Sequence, residues 1–138
     1  MTTTVKKIEV SKTGALAKAL DCDLAEAATA IDDGDYLVLD DYEATNACRE
    51  YIEESLWAFN YSFLAGHSKA IAAIPEKDFQ AMQGKLCESF NEAVKAMVDD
   101  FDYFVEDAIN TDGRGRFLAG YDGEELELDG DFYAYRIN

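Results

Sequence analysis

Histidine is nearly missing from this chain. His67 stands alone, so no histidine cluster can bind a metal and no second histidine can serve a catalytic triad. Cysteine is scarce and odd in number. Cys22, Cys48 and Cys87 lie too far apart for the close pairs of a zinc site, and a secreted disulfide scaffold normally carries an even set. Two of them fall among apolar neighbours at helical spacing, which predicts buried free thiols in a reducing compartment. The most apolar stretch, "SLWAFNYSFLAG", is too short and too polar to span a bilayer. "MTTTVKKIEVSK" has no apolar run behind its lysines and does not read as a secretory leader. A cytoplasmic protein without membrane contact is the expectation. Positive charge is scarce as well: 12 Lys and Arg against 29 Asp and Glu leave a net charge of −17. Such a surface repels nucleic acid and anionic membranes and attracts basic proteins or cations. Direct nucleic-acid binding is therefore disfavoured, whereas a nucleic-acid-binding protein is a natural partner.

Core-forming residues are plentiful. Hydrophobic residues make up 49% of the 138, with eight Tyr and eight Phe, an aromatic content that disordered chains lack. With no repeat and no low-complexity linker, residues 1–138 read as a single domain. "TVKKIEV" alternates as a short strand does. "TGALAKALDCDLAEAATAI" predicts two short helices, with Asp21 or Asp23 capping the second. "DDGD" is a turn before "YLVLD", a continuous apolar run suited to a buried strand. From an N-cap at Asp40 or Asp41, the stripe Cys48, Ile52, Leu56, Phe59 and Phe63 predicts one helix of about six turns, stopped by Gly66. A linker, "HSKAIAAIP", precedes a second long helix striped with Phe79, Met82, Leu86, Phe90, Val94 and Met97, with Pro75 in its first turn. "DDFDYFVEDAIN" is a third, ended by Gly113. "EELEL", "DGD" and "DFYAYRI" predict a β-hairpin. The expected class is α+β, with three or more helices packed on one face of a small, mainly antiparallel sheet.

The candidate sites fall short of known chemistry. The loop 112–123, "DGRGRFLAGYDG", offers Arg114 and Arg116 to a phosphate or carboxylate, with Asp122 nearby. It lacks the phosphate-loop lysine and the strand-to-helix setting of a dinucleotide site, and turn geometry alone accounts for its four glycines. Glu125, Glu127 and Asp129 alternate like calcium ligands, but the closing glutamate of an EF-hand would fall on Arg136. His67 follows a helix end, where capping is its expected role. No metal site, cofactor or catalytic constellation is predicted, and a non-enzymatic protein is expected.

The acids are clustered. Residues 21–43 hold nine carboxylates and no cation. Asp99, Asp100, Asp102, Glu106 and Asp107 form a second field, and Asp122, Glu124, Glu125, Glu127, Asp129 and Asp131 a third. Packed like charges oppose folding, which points to selection by something outside folding. Carboxylates four apart on a helix stand roughly 6 Å apart along its axis, and rows of them imitate a nucleic-acid backbone. Solubility and a solvated face are the plainer account of the same charge.

Two stretches, "EYIEESLWAFNYSFLAGHS" and "DGRGRFLAGYDGEELELDGDFYAYRIN", resemble small acidic proteins encoded by phages, prophages and plasmids, as does "GALAKALDCDLAEA". The resemblance carries over no site residue. It implies a mobile element in a bacterial cytoplasm, a setting in which accessory proteins of the anti-restriction or anti-CRISPR type are often acidic. The expectation is an inhibitor that uses the second and third fields to occupy a basic channel in a host nucleic-acid-processing complex. Two alternatives stand beside it. One is an interaction module anchored by Tyr121, Tyr133 and Tyr135. The other is a small ligand-binding protein or enzyme built on the loop 112–123.

Overall fold

The computed structural model describes residues 11–138, so the strand expected in "TVKKIEV" lies outside the described residues. The protein is a mainly helical α+β structure with one three-stranded antiparallel sheet. It divides into two compact units, one formed by residues up to Thr45 together with Arg114–Asn138, the other by Asn46–Gly113.

The first unit holds the sheet. Two short helices, α1 (Lys12–Leu20) and α2 (Leu24–Asp32), stand where the alanine-rich segment predicts them. Ser11 accepts from Gly14 N–H to cap α1, which ends as Asp21 turns left-handed at φ 53°. Of the two aspartates considered for the α2 cap, Asp23 fills it, accepting from Glu26 N–H at 2.8 Å. Strand β1 (Tyr36–Asp40) runs straight into α3 (Asp41–Glu54), which crosses the unit boundary after Thr45. Asp40 and Glu43 cap α3 reciprocally. Asp40 Oδ1 accepts from Glu43 N–H (2.8 Å), and Glu43 Oε1 accepts from Asp40 N–H (3.1 Å).

The predicted hairpin is present. Strands β2 (Leu126–Glu127) and β3 (Phe132–Arg136) pair antiparallel around Gly130 and Asp131, both left-handed at φ 74° and 61°. Strand β3 lies in the middle, pairing with β1 from Tyr36↔Arg136 to Asp40↔Phe132. Strands β1 and β3 bury both faces, not one, whereas β2 is exposed. Val38, Ala134 and Phe132 pack with Ala15, Leu16 and Ala27 of α1 and α2. Leu37, Leu39, Tyr133 and Tyr135 pack with Ala44 and with Leu118 and Ala119. A strand covered on both sides reads as an unbroken apolar run, which "YLVLD" is.

The second unit is helical, and both long helices expected there are broken. After α3 come a 3₁₀ turn at Leu56–Ala58 and a separate α4 (Tyr61–Gly66). Ser55 leaves helical geometry (φ −120°, ψ 12°) and its hydroxyl bonds back to the Tyr51 carbonyl. Side chains from further along the chain satisfy the exposed backbone. Asn91 accepts from Trp57 N–H (2.9 Å) and donates to Glu54 C=O (2.7 Å), while Gln83 donates to the carbonyls of Trp57 and Phe59. Of the predicted stripe, Cys48, Ile52 and Leu56 are fully buried, while Phe59 and Phe63 are half-buried and Leu64, outside the stripe, fills the core after the break. The expected linker contains a short helix, α5 (Lys69–Ala72), capped by Ser68. Pro75 caps α6 (Glu76–Leu86). A 3₁₀ turn (Cys87–Phe90) separates α6 from α7 (Asn91–Met97), with Cys87 at φ 49°, ψ −132°. Asp100 caps α8 (Phe101–Asp112), and Gly113 (φ 80°) ends it as predicted. Phe59, Phe63, Phe104 and Phe101 form a chain of ring contacts at 5.2–6.1 Å.

The cysteines differ from expectation in burial. None is in a disulfide, but only Cys48 is buried; Cys22 is half-buried and Cys87 exposed. Among the described residues, no helix is long and apolar enough to cross a membrane.

A residue with a Cβ is strained in the backbone region that Cys87 occupies, at a cost of about 1–3 kcal/mol. Cys87→Gly should therefore raise the urea midpoint with an unchanged slope; a lower midpoint would show that the turn is not strained.

Candidate functional site

The glycine loop is not a loop throughout. Residues Arg114–Leu118 form a short helix, α9. Gly113 and Gly123 have left-handed backbones (φ 80° and 72°), as turns require. Gly115 serves a different purpose. A Cβ there would stand 2.5 Å from Gly123 O and 2.7 Å from Glu125 N, so α9 lies directly on the backbone of residues 123–125. Gly120 has neither constraint, since a Cβ at that position would meet nothing nearer than 3.8 Å.

That close approach brings Glu125 to Arg114. Arg114 Nε donates to Glu125 Oε1 (2.7 Å), and Nη1 donates to Asp41 Oδ1 (2.8 Å) and the Asp41 carbonyl (3.2 Å). The guanidinium lies 4.5 Å from the centre of the Tyr133 ring. Tyr135, fully buried, donates its hydroxyl to the same Glu125 oxygen. With its side chain only 11% exposed, Arg114 is effectively inside the protein. Burial alone would lower its pKa, but the hydrogen bonds to Asp41 and Glu125 outweigh it and hold the pKa above its ordinary value. These bonds occupy the side chain that the sequence offered to a ligand, and leave Arg116 as the exposed arginine of the segment. Tyr133 and Tyr135, considered as partner anchors, are half-buried and buried; only Tyr121 is exposed (60%), and Arg136 stacks on it at 3.9 Å.

The acidic fields separate into carboxylates with folding roles and carboxylates turned to solvent. In the helical unit, Asp100 caps α8 and Asp102 receives Arg49 Nη1 at 2.6 Å. Asp99 accepts from Lys69 N–H (3.2 Å), while its own N–H donates to the His67 carbonyl (2.9 Å). Asp107 lies 2.6 Å from His67 Nε2. His67 ends α4, as expected, but its ring is packed among Phe63, Tyr103 and Phe104. Ser68 Oγ donates to Met97 C=O (2.6 Å), completing a seam between the turn after α4 and the turn before α8. Glu106 remains on the exposed face of α8.

In the sheet-bearing unit, Asp122 accepts from Glu124 N–H (3.0 Å), Asp129 pairs with Lys18, and Glu125 belongs to the Arg114 network. Glu124, Glu127 and Asp131 are exposed. The second field belongs to the helical unit and the third to the sheet-bearing unit. Among the described residues, no group of three or more His, Cys, Asp or Glu is placed to hold a metal ion. Nothing in the sequence announces the Arg114–Glu125–Tyr135 network beyond the clustering of its residue types.

No protein-family model, curated protein or solved structure matches this chain.

Arg114→Met should lower stability by about 1.5–3 kcal/mol, the worth of hydrogen bonds to charged groups, in urea unfolding followed by tyrosine fluorescence. Asp41→Asn should cost under about 1 kcal/mol because Asp41 is exposed. Equal losses would mean that the contacts of Arg114 with Glu125 and Tyr133 do not set the cost. Gly115→Ala should be destabilising by about 1–3 kcal/mol through overpacking against backbone, whereas Gly120→Ala should be near neutral.

Glu43 predicts a pH effect. The Lys12 ammonium at 2.8 Å and the Asp40 N–H hold its carboxyl below the ordinary value. A depressed folded-state pKa gives stability that is complete above the unfolded pKa, about 4.3, and is lost as pH falls through the folded value. Glu43→Gln should therefore flatten the acid limb of Tm against pH below about 4.3; an unchanged limb would remove Glu43 as a contributor.

Proposed function

We propose that this chain is a non-enzymatic counter-defence inhibitor carried by a mobile element. In this reading its acidic surfaces occupy the basic nucleic-acid channel of a host defence nuclease or targeting complex, in the manner of anti-restriction and anti-CRISPR proteins. One observation carries the reading: internal pairing accounts for the positions of many carboxylates but not for their number. If all 12 cations were matched one to one with acids, 29 − 12 = 17 acids would remain. Such an excess opposes compaction and creates a long-range field that speeds encounter with a basic partner. Paired acids contribute to this surface too, since Asp102 keeps 83% of its side chain exposed.

The carboxylates best suited to the partner are those turned to solvent: Glu106 in the helical unit, and Glu124, Glu127 and Asp131 beside the hairpin. Asp99, Asp100 and Asp107 act in folding through the contacts described above, so their loss would mix stability with binding.

A second reading is an interaction module anchored by aromatic side chains. Tyr42, Tyr121 and Tyr103 favour it, being 76%, 60% and 59% exposed. Salt separates the two: binding through charge weakens steeply as salt rises, and binding through tyrosines does not.

The deciding experiment is phage infection of bacterial strains that each carry one restriction or CRISPR system, with and without this protein. The expected result is rescue of the targeted phage in one strain. Rescue should fall at least tenfold in the triple variant Glu106→Lys, Glu124→Lys, Glu127→Lys, provided its circular dichroism and Tm match the wild type. Undiminished rescue by that folded variant would refute charge mimicry and leave the tyrosine-anchored module. No rescue across a broad panel would overturn counter-defence itself.

A further inference from the structure

No further inference is drawn: the strongest candidate, the cleft of about 610 Å³ in the helical unit between the end of α3 and the start of α7, lined by Tyr51, Glu54, Glu88 and Glu92, is a cluster of carboxylates for which nothing in the structure shows a ligand.

Discussion

A single, largely buried guanidinium organises the sheet-bearing unit. Arg114 meets the first turn of α3 through Asp41, the approach to β2 through Glu125, and the central strand through the Tyr133 ring. Each contact depends on another. Glu125 can reach Arg114 because Gly115 lets the backbone of residues 123–125 lie against α9. Tyr135 can be fully buried because its hydroxyl finds an acceptor in Glu125. Arginine suits the position better than lysine, since its planar fork serves two carboxylates while its face rests on an aromatic ring.

The same chemistry explains how a chain of charge −17 can fold at all. Many acids stand where a helix start or a scarce cation receives them. Asp23, Asp40 and Asp100 satisfy backbone N–H groups at the ends of α2, α3 and α8, where the helix dipole also favours negative charge. Arg49 lies against both Asp102 and Glu53, so one cation serves two acids. Local capping lowers the electrostatic cost of the fold and leaves the excess of acid over base untouched. That excess is what the proposed function rests on.

Much of the secondary structure is legible in the sequence. The paired short helices, the turn and strand at residues 32–40, α8 and the hairpin each carry a local signature of cap, glycine or alternation. The two long helices are not legible as the broken segments they are. Hydrophobic periodicity reports which side of a segment faces the core, and that side is largely kept when the segment breaks and restarts, Leu86 at the end of α6 being exposed. The breaks after α3 and α6 depend on Asn91, Gln83 and the backbone of Cys87, and no local pattern announces partners thirty residues away. The candidate surface is legible as composition only. Sequence marks Asp107 and Glu106 as the same kind of residue, yet one meets a packed histidine and the other faces water.

The central position of β3 bears on how the protein folds as it is made. Strands β1 and β2 each pair with β3 and not with each other, and Tyr36 waits for Arg136. On the ribosome, the sheet cannot form until residues 132–136 have emerged, whereas the helical unit is one continuous segment already synthesised by then. In the interval Leu37, Val38 and Leu39 lack their partner strand, and the acids on either side of them, Asp32, Asp33, Asp35, Asp40 and Asp41, repel other copies of the chain.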